Sequence, residues 1–90
     1  MNFKQLNVLL ADDDTDDCLF FKQALAELSQ SAKLTIVNDG EQLMTYLSEN
    51  TEHLPHVIFL DINMPRKNGL ECLSEIKQSK IFKGIPVIMF

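Results

Sequence analysis

Acidic side chains follow two short apolar runs of the sequence. Asp12 and Asp13 come directly after residues 6–11, and Asp61 comes directly after residues 57–60. Such runs are typical of strands buried in a parallel sheet, whose ligand crevice lies at the carboxyl ends of the strands. If the two runs are neighbouring strands, they bring the three carboxylates together at one edge of the sheet. The sequence therefore predicts an acidic site at that edge.

A site of this kind needs a cation or a shared proton. Two carboxylates about 5 Å apart repel each other by roughly 3 kcal/mol at an effective dielectric constant of about 20. Either a proton is shared between them or a cation lies among them. A few oxygen ligands that are open to water suit Mg²⁺. A carboxylate beside Mg²⁺ can attack phosphorus, because the metal neutralises the phosphoryl oxygens. The residues therefore favour a Mg²⁺-dependent aspartyl-phosphate site.

Four strands alternate with helical segments in the predicted order β-α-β-α-β-α-β. The strands are expected at residues 6–11, 33–37, 56–61 and 85–90. Connections of this length between strands imply right-handed crossovers and a parallel sheet that helices cover on both faces. We therefore predict a doubly wound α/β fold with strand order 2-1-3-4, in a single domain over residues 1–90.

The helices are predicted from capping residues and from apolar residues at helical spacing. Asp14 or Thr15 can cap the first helix. The other two caps have a Gln or Glu three residues later, as in a capping box: Asp39 with Gln42, and Asn68 with Glu71. The residues expected on the buried helix faces are Cys18, Phe21, Leu25 and Leu28 in the first helix, Leu43, Met44 and Leu47 in the second, and Leu70, Leu73 and Ile76 in the third.

The composition and the net charge indicate the size of the domain and disfavour some classes of partner. The chain has 90 residues, of which 46% are hydrophobic, enough for the core of one small domain. Its net charge of −5 disfavours nucleic-acid binding, because an acidic surface repels phosphate backbones. No apolar run reaches the ~20 residues that span a bilayer, and no signal peptide is recognisable. Cys18 and Cys72 have no metal-ligand spacing and are expected to be reduced thiols of a cytoplasmic protein.

Two motifs resemble one known family. Residues 9–14 resemble the first strand and acidic pair of response-regulator receiver domains. Residues 60–65, followed by Gly69, resemble the phosphoacceptor strand of that family and the loop after it. The two motifs have the family's order and separation, and the similarity extends over residues 6–90. The resemblance implies a flavodoxin-like receiver fold.

The resemblance also implies a role in phosphorelay signal transduction by a two-component system. A sensor histidine kinase or a phosphotransfer protein would donate a phosphoryl group to Asp61. Asp13 would bind Mg²⁺ directly and Asp12 largely through water, and the backbone carbonyl of Asn63 would be a further ligand. The chain would be a phosphoacceptor signalling domain and not an enzyme, catalysing at most its own phosphorylation and dephosphorylation.

Five further residues that follow Asp61 are expected to shape the loop after it or to contribute charge. Met64 is expected to pack near the site, and Pro65 to stiffen a turn. Gly69 is expected to permit a helix start or a close approach of two backbone segments. Arg66 and Lys67 either steer a phosphodonor or are merely solvated.

The sequence departs from the family's pattern at one point. Receiver domains continue after the fourth strand with a Ser or Thr, a helix, a fifth strand that ends in Lys, and a last helix, whereas this sequence stops at Phe90. With the fifth strand and the last two helices missing, phosphorylation is expected to be slower and its product less well held. The fourth strand is expected to form an open apolar edge through which two copies dimerise.

Two alternatives of other classes stay open from the residues. One is a receiver-like module that no longer accepts phosphate and acts by dimerising through the fourth strand. The other is a hydrolase of phosphate esters, since residues 61–63 resemble the Asp-x-Asp nucleophile of haloacid-dehalogenase-type phosphatases. Asn63 stands where that motif has its second acid, which weakens this alternative.

A calcium site and a plain helix start are further interpretations of the first acidic cluster. Asp12, Asp14 and Asp16 match the first ligands of an EF-hand loop, but Asp17 and Gln23 stand where that loop requires Gly and Glu. Beyond Asp12 and Asp13, the acids of this cluster are expected to be solvated residues that favour the start of a helix.

Overall fold

Strands and helices alternate along residues 5–90, the part of the chain that the computed structural model describes. The strands are β1 (Leu6–Ala11), β2 (Ala32–Val37), β3 (Val57–Leu60) and β4 (Val87–Met89). The helices are α1 (Thr15–Leu28), α2 (Gly40–Glu49) and α3 (Gly69–Gln78). The predicted order of elements is confirmed. Strand β4 is shorter than predicted and begins after Pro86, which has no N–H to donate to a sheet.

The four strands form one parallel sheet in the order β2-β1-β3-β4. This confirms the predicted order 2-1-3-4. In the register, Ala11 is the partner of both Val37 and Leu60, and Leu60 is the partner of Met89. Every strand therefore ends at the same edge of the sheet, and the residues that follow the strands lie there together.

The hydrophobic core surrounds the two central strands. Residues 8–11 of β1 are all buried, as are Ile58 and Leu60 of β3. Leu43, Leu47 and other buried residues of α2 and α3 pack onto the sheet from one side. On α1, Phe21 contacts Phe59 edge to face, with ring centroids 4.8 Å apart. The acidic residues that follow β1 and β3 are therefore attached directly to buried strands of the core.

Each helix begins at a predicted cap. The side chains of Asp14, Asp39 and Asn68 each accept a hydrogen bond from the backbone N–H three residues later. At α3 the capping box is complete, because the Glu71 side chain also accepts from the N–H of Asn68 at 3.1 Å. At α2 the box is shifted, because Gln42 Oε1 accepts from the N–H of Asn38 at 2.8 Å and not from that of Asp39.

Two residues expected on buried helix faces are exposed. Leu28 continues the line of Cys18 and Leu25, but it is the last residue of α1, and 85% of its surface is exposed. Leu70 is 58% exposed, because the buried line of α3 runs through Gly69, Cys72 and Ile76 and leaves Leu70 to one side. The predicted inward positions at Leu28 and Leu70 were therefore wrong.

Two further predictions concern the state of the cysteines and the presence of membrane-spanning segments. Cys18 and Cys72 are both free and buried. Within residues 5–90, none of the helices combines the length and the apolar character needed to cross a membrane.

Candidate functional site

Three carboxylates converge at the carboxyl edge of the sheet. One oxygen from each of Asp12, Asp13 and Asp61 lies within 4.8 Å of the other two. Asp12 is buried, Asp61 is half-buried and Asp13 is exposed. Asp12 thus lies at the buried end of the cluster, and Asp13 lies on its open side, which faces solvent.

The backbone of the sheet positions these side chains. The N–H of Asp12 donates to the carbonyl of Val37 at 3.0 Å, and the N–H of Asp61 donates to the carbonyl of Ala11 at 2.9 Å. Both acids therefore continue the hydrogen-bonding ladder of the strands that precede them. This fixes their backbone positions before any ligand arrives.

Asp12 is the most constrained acid of the three. Its Oδ1 accepts from the N–H of Asp14 at 2.9 Å, and its carbonyl accepts from Asn38 Nδ2 at 3.3 Å. The pKa of Asp12 is raised to about 6, chiefly by burial; the hydrogen bond from the N–H of Asp14 lowers the pKa, and the nearby Asp61 carboxylate contributes to raising it. The cluster therefore carries excess negative charge that a cation would relieve.

The loop between β3 and α3 folds back onto Asp61. Asp61 Oδ1 accepts from the N–H of Asn63 at 3.1 Å, a turn that begins the loop. The N–H of Gly69 donates to the carbonyl of Ile62 at 2.9 Å and closes it. A Cβ on residue 69 would lie 2.2 Å from the carbonyl oxygen of Asp61, so glycine is required where the two segments meet. Met64 is buried and belongs to the hydrophobic core, while Pro65 is exposed.

The role of Arg66, which connects this loop with the start of α2, was not predicted from the sequence. Arg66 Nη1 donates to Asp39 Oδ2 at 3.0 Å, an ion pair that connects the β3–α3 loop with the start of α2. The sequence identified Asp39 only as a helix cap, and it left Arg66 as either a steering or a solvated cation. Lys67, its neighbour, pairs with Glu75 on α3.

The donor set suits a hard divalent cation. All three side chains offer carboxylate oxygens, and the exposed Asn63 carries a backbone carbonyl two residues after Asp61. Mg²⁺ and Mn²⁺ prefer oxygen ligands of this kind and keep part of their water shell. Among residues 5–90, this is the acidic cluster whose geometry fits a metal ion.

Comparison with known proteins decides the family. Residues 8–90 match the family described as the response regulator receiver domain. The chain belongs to this family. The resemblance drawn from residues 9–14 and 60–69 is thereby confirmed, and the phosphate-ester hydrolase and the EF-hand loop are set aside.

Individual relatives agree with this assignment. Response regulator Rcp1 of Synechocystis sp. is 35% identical over 86 residues, which cover 91% of this chain and 58% of that protein. Transcriptional regulatory protein CpxR of Klebsiella pneumoniae is 32% identical over 82 residues, which cover 91% of this chain and 32% of that protein. The chain thus spans only part of the length of these relatives.

Solved receiver structures share the fold. The Mn(2+)-bound form of response regulator Rcp1 superposes with a TM-score of 0.84 at 35% identity, covering 93% of this chain and 63% of that one. The phosphorylated cyanobacterial phytochrome response regulator RcpA gives a TM-score of 0.86 at 32% identity, covering 94% of this chain and 64% of that one. The receiver domain therefore has the flavodoxin-like fold that the resemblance implied.

Proposed function

We propose that Asp61 accepts a phosphoryl group from a sensor histidine kinase or a phosphotransfer protein in a Mg²⁺-dependent reaction. The chain then acts as the receiver of a phosphorelay, as a signalling domain and not as an enzyme with a separate substrate. The observation that carries the proposal is the convergence of the Asp12, Asp13 and Asp61 oxygens within 4.8 Å.

Asp61 is the acid best suited to be the phosphoacceptor. It is half-buried, so a donor can reach it, and the N–H of Asn63 holds one of its oxygens in place. Asp12 is buried, with 1% of its surface exposed, so it is less accessible to a phosphodonor than Asp61. Asp13 is exposed to solvent, where a carboxylate is strongly hydrated.

The remaining oxygens would hold the metal. Asp13, on the open side, would bind it directly, Asp12 largely through water, and the carbonyl of Asn63 would complete the set with Asp61. The Mn(2+)-bound form of the relative Rcp1 supports a divalent ion in this fold. When bound, Mg²⁺ neutralises the oxygens of the incoming phosphoryl group.

Transfer to Asp61 is a displacement at phosphorus. A carboxylate oxygen of Asp61 forms a bond to the phosphorus of a phosphohistidine. The P–N bond breaks, and its electron pair stays on the imidazole nitrogen, which then takes a proton from water. The phosphorylated form of the relative RcpA supports phosphorylation of a receiver with this fold.

Other properties of the chain remain predictions. The acidic net charge of −5 favours a protein partner over nucleic acid. A homodimer through β4 is consistent with the exposure of Ile88 on that strand. A cytoplasmic location fits the two free thiols.

The test is covalent labelling of the purified chain. Acetyl phosphate and Mg²⁺ are expected to give a phosphoryl adduct in the intact mass of the unaltered chain and none in Asp61→Asn. Asp16→Asn is the matched control, since it removes one exposed acid of the same neighbourhood and should still be labelled. An adduct on Asp61→Asn, or an adduct that forms equally well in EDTA, would contradict the proposal.

A further inference from the structure

An ion pair holds the β3–α3 loop from its outer side. Arg66 Nη1 donates to Asp39 Oδ2 at 3.0 Å and joins two segments that are 27 residues apart in sequence. The Asp39 side chain is only 5% exposed, whereas that of Arg66 is 64% exposed. A surface cation therefore reaches from the loop to a carboxylate that is buried at the start of α2.

Asp39 is a fixed anchor for this contact. Its Oδ1 accepts from the N–H of Gln42 at 2.8 Å, which caps α2, and its Oδ2 accepts from Arg66. The positive end of the helix dipole favours a carboxylate at this place. Both oxygens are thus engaged, and α2 determines where Arg66 must reach.

Arg66 adopts an unfavourable backbone conformation in making the contact. Its φ angle is 66°, in the left-handed region that side-chain-bearing residues avoid, and the N–H of Lys67 donates to the carbonyl of Pro65 at 2.7 Å across it. Among residues 5–90, Arg66 alone has a positive φ. Strain of this kind persists only where surrounding contacts hold it, and the bond to Asp39 is such a contact.

The backbone of the loop also rests directly on α2. A Cβ on residue 40 would lie 2.1 Å from the carbonyl oxygen of Lys67, so Gly40 allows the loop to touch the first turn of the helix. Cys72 Sγ donates to the carbonyl of Gly40 at 3.5 Å from the α3 side. The loop is therefore positioned against α2 at two consecutive residues, Arg66 and Lys67.

These contacts lie close to the site. Asn63, whose carbonyl is a proposed metal ligand, is three residues before Arg66 in the same loop. Between them, Met64 is buried in the core. The loop is thus held from inside by Met64 and from outside by the ion pair, and Asn63 lies between Asp61 and these two attachments.

We propose that Arg66 and Asp39 are positioning residues for the metal site, an inference that rests on the proposed function. Their ion pair presets the loop so that the Asn63 carbonyl is in place when the divalent ion binds. Loss of either partner lets the β3–α3 loop relax. Part of the free energy of divalent-ion binding is then used to order the loop again. Contacts that orient metal ligands typically change metal affinity tenfold or more, and the exposure of Arg66 places the expected loss at about three- to tenfold.

The variants are chosen to remove the pair with little other change. Arg66→Gln removes the charge and keeps most of the length of the side chain. Asp39→Asn removes the charge and keeps an oxygen that can cap α2. Lys80→Gln is the matched control, because it deletes one exposed cation away from the loop. Arg66→Gly removes the side chain and relieves the backbone strain together.

Two measurements are made on the 90-residue chain. Calorimetric titration with Mg²⁺ and with Mn²⁺ is expected to show about three- to tenfold weaker binding for Arg66→Gln and Asp39→Asn. The double variant should be no weaker than the singles, since both remove one shared contact. Arg66→Gly should lose affinity like Arg66→Gln. Amide hydrogen exchange without metal should be faster at residues 63–64 and 66–67 in these variants and unchanged in Lys80→Gln.

The outcomes separate the two proposals. If the unaltered chain binds no divalent ion, the proposed function is overturned together with this inference. If it binds and the loop exchanges faster in the variants while their affinity is unchanged, the pair holds the loop without positioning the ligand, and only this inference is overturned. Unchanged exchange and unchanged affinity would overturn it as well, as would full affinity in Arg66→Gly.

Discussion

Asp12 and Asp61 are neighbours because Ala11 and Leu60, the residues just before them, are partners in the parallel register of β1 and β3. The N–H of Asp61 donates to the carbonyl of Ala11 at 2.9 Å, so the two chains stay in contact up to the acids. Two carboxylates are thereby held together at a place where one of them is buried. The geometry of the sheet itself imposes the repulsion that a cation would relieve.

Replacing Asp12 should stabilise the metal-free chain at neutral pH. The pKa of Asp12 is raised from 3.8 to about 6, chiefly by burial, so the folded chain holds this proton more tightly than the unfolded chain does. The contribution of Asp12 to the unfolding free energy therefore falls as pH rises from about 4 to about 6 and stays low above that. Asp12→Asn is expected to add about 1–3 kcal/mol at pH 7 and almost nothing at pH 4.

Urea unfolding in EDTA at several pH values measures this effect. Asp16→Asn is the control for general charge, since Asp16 is an exposed acid on the first turn of α1. The difference between Asp12→Asn and the unaltered chain should grow between pH 4 and pH 7. A difference that is constant with pH would contradict the prediction.

Divalent metal should stabilise the chain through Asp13. An ion that binds only the folded state at about 100 times its Kd adds about 2.7 kcal/mol to the unfolding free energy. Thermal unfolding is expected to shift upward with Mg²⁺, and Asp13→Asn should abolish most of the shift because it removes the exposed carboxylate proposed as a direct ligand. Asp17→Asn, which changes an exposed acid on α1, should keep the shift. An equal shift in both variants would indicate a general ionic effect.

Much of the site was predictable because it depends on strand ends. Apolar runs identified β1 and β3, and a parallel sheet brings the ends of neighbouring strands to one edge. The close approach at Gly69 was also expected from its residue type. These features depend on local pattern and on a topology that few alternatives satisfy.

Long-range contacts were not predictable in the same way. The pair between Arg66 and Asp39 involves an arginine with a positive φ, which no sequence pattern indicates. Gln42 reaches Asn38 because the chain before α2 turns back toward the helix, which cap spacing does not determine. Leu28 matches the helical period of Cys18 and Leu25, and only the tertiary structure shows that the end of α1 lies uncovered.

Leu47 and Leu28, which the sequence places alike on buried helix faces, should differ in their contribution to the unfolding free energy. Leu47 on α2 is fully buried in the core, whereas Leu28 on α1 is 85% exposed. Leu47→Ala is expected to lower the unfolding free energy by about 2–5 kcal/mol, because it leaves a cavity in the core. Leu28→Ala should change it by less than about 0.5 kcal/mol. Chemical denaturation of both variants tests this, and a large loss in Leu28→Ala would show that the end of α1 is covered in solution.

Glycine at residue 69 should be indispensable for the site, and Gly84 offers a control of the same type. A Cβ at residue 69 would lie 2.2 Å from the carbonyl oxygen of Asp61, whereas a Cβ at residue 84 would have no neighbour within 4 Å. Gly69→Ala must therefore push the start of α3 away from Asp61, which costs about 1–3 kcal/mol. The displaced backbone should also weaken Mg²⁺ binding, because the N–H of Gly69 closes the loop that carries Asn63. Gly84→Ala should be neutral or slightly stabilising. Denaturant unfolding and metal titration of both variants measure the two effects, and equal behaviour of the two variants would mean that the close approach at Gly69 is not maintained in solution.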